Sequence, residues 1–252
     1  MDISYIPFTF PGLPSVGCAF QTRPGGNISF AVGDDPAAVR CNRQALLREL
    51  GLDAFVELKQ VHGDTLLFEP PTTPLEDDAT LEADAHATSR PGVALMIKTA
   101  DCQPILLAHT SGKYVAAIHA GWRGNRMGLP TTAVTRFCEH YGLSPRDVLA
   151  VRGPSLGPAS AEFVNFAREW GQDYAPWFTP GTSTMDLWSL TRHQLREAGL
   201  IDAHIFGLDL CTASMPDMFF SYRQDKNCGR QASLVWIRQG DEAHLAPYPQ
   251  VF

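Results

Sequence analysis

No run in this 252-residue chain reaches the roughly 18 consecutive apolar residues that a membrane-spanning helix requires. The opening Met-Asp-Ile-Ser-Tyr-Ile-Pro carries no positively charged region ahead of an apolar one; no secretory signal is expected, and the cytoplasm is the expected location. Basic clusters are missing too. The formal net charge is −7, whereas a nucleic-acid surface concentrates Lys and Arg against phosphates, so only a small anion is an expected target for isolated cations. The six cysteines (Cys18, Cys41, Cys102, Cys138, Cys211, Cys228) include no Cys-x-x-Cys pair, which in a cytosolic chain reads as reduced thiols rather than a disulfide framework. Neither a P-loop nor Gly-x-Gly-x-x-Gly occurs, and a nucleotide held by either device is not expected. The eight histidines contain no His-x-His pair, against the many-histidine cluster of a multicopper oxidase. Internal repeats, heptads and low-complexity segments are absent as well.

What is present centres on Val93 to Asn125. Three short apolar runs, Val93 to Ile97, Pro104 to Ala108 and Tyr114 to Ile118, are bounded by Gly, Pro or Asp and read as buried strands. Their ends carry Lys98, Thr99, Asp101, Cys102, His119, Trp122 and Arg123. Such polar groups at the ends of core strands are costly unless each finds a partner, which marks the stretch as a candidate site.

Elsewhere strands and helices mix without a regular βα repeat. Strands are expected at Ile3 to Phe10, Val16 to Thr22, Phe55 to Val61, Val148 to Val151, Ala203 to Gly207 and Ser233 to Arg238. Asp35-Pro36 opens a helix that Gly51 closes, with Val39, Leu46, Leu47 and Leu50 on one face. Further helices are expected over Gly124 to Tyr141, about Ala161 to Trp170, and Asp186 to Glu197. Pro70 to Ala83 and Cys211 to Arg230 read as polar loops. The pattern indicates an α+β, or mixed α/β, architecture in one domain spanning 1–252.

His62, Cys102 and His119 offer two imidazoles and a thiolate from three strand ends. Three protein ligands with an open fourth position is the pattern of a catalytic zinc. The same residues also allow Cys102 as a nucleophile with His119 as its base, and two histidines with a cysteine are the blue-copper set. Arg23, Arg123 and Arg230 lie in glycine-rich turns or loops, where guanidinium forks bind phosphate.

Read in order, Lys-Gln-Val-His-Gly, Ala-Asp-Ala, Lys-Thr-Ala-Asp-Cys-Gln-Pro-Ile-Leu-Leu, Ile-His-Ala-Gly-Trp-Arg-Gly, Cys-Thr-Ala-Ser-Met-Pro-Asp-Met-Phe-Phe-Ser-Tyr-Arg and Gly-Arg-Gln-Ala closely resemble the YfiH family. That family is also called the laccase-domain or polyphenol oxidase family, and its members are described as purine nucleoside phosphorylases. The resemblance implies mixed β-sheets packed face to face with helices outside, a layered α/β/β/α fold. It implies zinc on His62, Cys102 and His119, with copper as the alternative metal. The implied activity is phosphorolysis of adenosine, inosine, guanosine and methylthioadenosine, with adenosine deamination alongside; a copper-dependent phenol oxidase and a cysteine-dependent amidase acting on a cell-wall precursor are the rivals.

The implied partners are a purine nucleoside and phosphate, with no nucleic acid or membrane, in a monomer or small homo-oligomer. Substrate contacts are expected from Arg23, Gln60, Arg123 and Arg230. Catalytic roles are expected for Cys102 and His119, and for Asp101 and Lys98 as acid–base candidates by position. Two departures from the family pattern stand out: a shortened segment after Gly26, and Ser155 where relatives carry cysteine in the Gly-Pro-Cys-Ile-Gly-Pro turn.

Overall fold

Neighbouring residues of the central strands point into different cores, and this alternation sorts the chain into layers. The computed structural model describes residues 4–240. A five-stranded sheet runs in the order β1 (Tyr5–Pro7), β2 (Val16–Gln21), β13 (Gln231–Ile237), β6 (Val93–Thr99) and β3 (Ala54–Glu57). Only its β3–β6 pairing is parallel. A six-stranded sheet runs in the order β12 (Ile205–Gly207), β9 (Val148–Arg152), β7 (Gln103–His109), β8 (Val115–Ala120), β5 (Ala85–Thr88) and β4 (Leu66–Phe68). Here the two outermost pairings, β12–β9 and β4–β5, are parallel. A small hairpin joins β10 (Phe178–Thr179) to β11 (Thr184–Met185).

Leu95, Ile97 and Val235 of the first sheet meet Leu106, Val115, Ala117 and Val151 of the second in one core. On the outer face of the first sheet, Ala94, Met96, Leu234 and Trp236 pack under α1 (Pro36–Leu50). On the outer face of the second, Ile105, Leu107, Ala116 and Ile118 pack against α3 (Leu129–Tyr141) and α5 (Leu187–Glu197). The result is the expected α/β/β/α layering. Because both sheets are covered on both faces, their strands read in sequence as nearly continuous apolar runs rather than as alternating ones.

The helix signals at Asp35 and Gly51 act as expected: the Asp35 carboxylate accepts the Ala37 N–H, and Gly51 turns left-handed at φ 67°. Burying Val39, Leu46, Leu47 and Leu50 contributes about 1.5–3 kcal/mol for each side chain. Two expected helices are corrected. The segment 124–141 is broken at Gly128, φ 74°, into α2 (Trp122–Arg126) and α3. Of 161–170 only α4 (Phe166–Glu169) is helical, because the main chain of 161–163 pairs instead with β11, through Phe163 N–H to Ser183 O at 2.7 Å and Met185 N–H to Ala161 O at 2.9 Å. The strand expected over 55–61 stops at Glu57, and Ile3 lies outside the described residues. No helix among the described residues is long and apolar enough to cross a membrane.

Candidate metal centre and its cavity

Beyond β3 the chain pairs briefly with the end of the 70–83 loop through Lys59 and then turns sharply at His62, a non-glycine residue with φ 60°. Such a backbone persists only where surrounding contacts hold it. The carboxylate of Asp84 does so. It accepts the N–H groups of Val61 (3.2 Å), His62 (2.9 Å) and Gly63 (2.6 Å). Asp84 is fully buried just ahead of β5, where its carbonyl accepts the His119 N–H at 2.7 Å.

His119 lies at the end of β8, and the strand alternation that turns Val115 and Ala117 between the sheets turns His119 the same way. Its Nδ1 is 2.7 Å from Asp84 Oδ1. Cys102 sits in the short connection from β6 to β7, immediately after Asp101, whose φ is 92°. The Asp101 carboxylate is held by the Thr212 hydroxyl and the Arg223 N–H, each at 2.6 Å.

These elements bring the Cys102 Sγ to 3.7 Å from His62 Nε2, and set the His62 and His119 rings edge to face at 4.8 Å. The sulfur and one nitrogen of each ring lie within 4.8 Å of one another, the one group of three such donors among the described residues. Gly121 makes room for them: a Cβ there would stand 2.7 Å from His62 Cδ2 and 3.1 Å from the Cys102 sulfur.

The electrostatics suit a cation. Burial pushes the Cys102 thiol up, but His119 and His62 outweigh it and bring it down to about 6. Burial pushes His119 down, yet the Cys102 sulfur and the Asp84 carboxylate raise it to about 9. For Asp84, burial alone would raise the carboxyl; the hydrogen bond and charge of His119, with the Gly63 and His62 N–H groups, hold it below the usual range. The two imidazoles thus draw the Cys102 thiol toward its ionised, metal-binding form. With Asp84 accepting from Nδ1, the neutral form of His119 has Nε2 as its donor atom, the orienting contact common behind metal-bound histidines. Soft sulfur with two imidazole nitrogens fits zinc and copper alike.

The three side chains line a cavity of about 1060 Å³. Lys98, Asp101, Gln60, Arg123 and Arg230 line it too, whereas Arg23 does not. The Arg23 guanidinium donates to Pro216 O at 2.9 Å and stacks near Phe220. Gln60 is committed to the wall, its amide exchanging two 2.8 Å hydrogen bonds with the main chain of Lys98. The Lys98 ammonium rests on the buried Glu57 carboxylate. Arg123 lies over the Trp122 ring at 4.4 Å, and Arg230 donates to Cys228 O at 2.6 Å.

Sequence reasoning passed over Asp84, Glu57 and Arg223. Asp84 carries a signal, an acid enclosed by Ala83 and Ala85 beside a strand; Arg223 ends the Phe-Phe-Ser-Tyr-Arg stretch. Glu57 had no distinguishing mark inside a strand of ordinary composition.

A model of the family described as Multi-copper polyphenol oxidoreductase laccase matches residues 17–238. Among curated relatives, a Xylella fastidiosa (strain Temecula1) protein named purine nucleoside phosphorylase is 39% identical over 222 residues, covering 84% of this chain and 84% of the relative. An Escherichia coli (strain K12) protein named purine nucleoside phosphorylase YfiH is 34% identical over 244 residues, covering 90% of this chain and 96% of the relative. Of solved structures, YlmD from Geobacillus stearothermophilus is similar with a TM-score of 0.81 at 25% identity, covering 95% of this chain and 98% of that one.

Proposed function

This chain belongs to the Multi-copper polyphenol oxidoreductase laccase family, and from that premise and the donor set of the cavity we propose that it is a zinc-dependent purine nucleoside phosphorylase of the cytoplasm. The observation that carries the reading is the convergence of His62, Cys102 and His119 on the wall of a cavity of about 1060 Å³ that is also lined by Arg123, Arg223 and Arg230. Such a volume accommodates a nucleoside and an inorganic anion together, and cationic side chains among the lining residues offer the anion counter-charge.

In the proposed reaction a phosphate oxygen forms a bond to ribose C1′ as the C1′–N9 bond breaks. The purine leaves with the bonding electrons and takes up a proton, giving ribose 1-phosphate and free base. His62, Cys102 and His119 would hold a zinc ion, which would supply Lewis-acid polarisation in the cavity. The chain's own residues do the rest by placement. Asp84 fixes the His62 turn and the tautomer of His119, and Asp101 ties the Cys102 loop to Thr212 and Arg223. Trp122 and Phe163 give the cavity an aromatic flank suited to a flat purine. Hydrolytic loss of the adenine amino group is the second activity proposed for the same cavity.

The test is base release from inosine, guanosine, adenosine and methylthioadenosine by zinc-loaded protein, with and without phosphate, beside Cys102→Ala. Ammonia release from adenosine and oxygen uptake with phenols are followed in parallel. Release that requires both phosphate and Cys102 supports the proposal. Absence of base release from every nucleoside refutes it, and phenol oxidation by copper-loaded protein would put an oxidase in its place.

A further inference from the structure

Five cationic side chains line the cavity, namely Lys59, Lys98, Arg123, Arg223 and Arg230. Four are already engaged or lie at its exposed rim. Lys59 pairs with Glu82 at 2.8 Å, both side chains more than half exposed. Arg223 spends its guanidinium on Ser160 O (2.6 Å) and Glu162 O (3.4 Å). Arg230 gives one nitrogen to Cys228 O and Gly229 O. Arg123 is exposed and lies over Trp122, where solvent screens its charge.

Lys98 differs. Its side chain is only 13% exposed, and its ammonium is seated on Glu57, a fully buried carboxylate whose other oxygen is 2.8 Å from Arg43. One buried carboxylate thus serves two cations. Facing it is Asp78 on the 70–83 loop, half exposed, with Oδ1 at 3.8 Å, beyond hydrogen-bond reach. An ammonium carries three donors, and the contact with Glu57 fixes the flexible stem, so the ordering cost of gripping an anion is already met.

We infer that Lys98 is the phosphate anchor of this cavity, held in place by Glu57, and that Asp78 competes with the phosphate for it. A compact ammonium is a well-matched point charge for a phosphate oxygen. The identity of the anion rests on the phosphorylase reading; the anion subsite itself rests on the seating of the Lys98 ammonium on Glu57 and its loose, half-solvated pairing with Asp78.

The experiment varies inorganic phosphate at fixed inosine with zinc-loaded wild type, Lys98→Met and Asp78→Asn. Lys98→Met raises the KM for phosphate by about tenfold or more while the KM for inosine stays within about twofold. Asp78→Asn lowers the phosphate KM by about threefold, since a weak, half-solvated competitor is removed. In parallel, phosphate at matched ionic strength raises the melting temperature of wild type and Asp78→Asn but not of Lys98→Met. An unchanged phosphate KM in Lys98→Met, or a raised one in Asp78→Asn, overturns the inference. Should Lys98→Met not fold, the exposed Asp78→Asn variant decides by the sign of its change. Should wild type release no base at all, the phosphorylase reading fails separately. The melting shift then judges the anion subsite alone: dependence on Lys98 sustains it, and no shift overturns it.

Discussion

Asp84 and His119 are joined twice, through main chain and side chain, each contact 2.7 Å long. The same carboxylate holds the N–H groups around His62, so one buried acid orients two of the three donors. Asp84→Asn keeps the size but presents an amide N–H to N–H groups, and zinc affinity should fall by about ten- to a hundredfold. Competition against a chromophoric chelator measures it; unaltered affinity would show that the donors hold their places without Asp84.

Gly121→Ala should abolish metal uptake while leaving the fold intact. The added methyl would sit 2.7 Å from the His62 ring and 3.1 Å from the Cys102 sulfur, spacing that forces the donors apart. Near-wild-type circular dichroism with no bound zinc is the expected pair of results. Full zinc occupancy in the variant would contradict the crowded geometry.

Acid stability should depend on His86. This residue is fully buried in β5 with neither ring nitrogen hydrogen-bonded among the described residues, and burial lowers it from 6.5 to about 3. Between those values the unfolded chain binds the proton and the folded chain does not, so stability is complete above pH 6.5 and falls as pH drops toward 3. Replacement by Leu should flatten this part of the urea-denaturation profile between pH 7 and pH 4, by an amount on the order of a few kcal/mol. Identical pH profiles for the two proteins would rule the histidine out as the cause.

Glu57→Gln should cost about 3–5 kcal/mol in urea unfolding, because it leaves Arg43 and Lys98 enclosed without their shared counter-charge. Arg43 is 2% exposed and cannot turn to water, its guanidinium also bonded to Ile28 O and Asp77 O. A loss below about 1 kcal/mol would mean that the remaining hydrogen bonds of Arg43 and the Asp78 contact of Lys98 hold the two cations without that charge.

Much of this architecture can be read from the residues because local and tertiary preferences agree. Asp35, Pro36 and Gly51 delimit α1 by cap chemistry alone, and the apolar runs flanked by Thr99, Cys102 and His119 announce both strands and donors. Misreading arises where distant pairing overrides a local preference. Residues 161–163 have helical neighbours in sequence, but their main-chain groups are taken by β11 some twenty residues on. The donor triad is visible by residue type, whereas the weight of Asp84 lies in how many N–H groups reach it, and spacing carries no record of that. Arg23 illustrates the converse, a guanidinium in a glycine-rich turn that faces Pro216 rather than the cavity.

The place of β13 between β2 and β6 has a consequence for the order in which the chain takes shape during synthesis. Every strand of the six-stranded sheet precedes Leu208, so that sheet can be complete while the centre of its partner is still being made. Until Gln231–Ile237 is made, β2 and β6 each lack their neighbour and present open hydrogen-bonding edges. A nascent or truncated chain ending before Gln231 therefore carries two unpaired, apolar strand edges, the kind of surface on which chaperones act and aggregates begin.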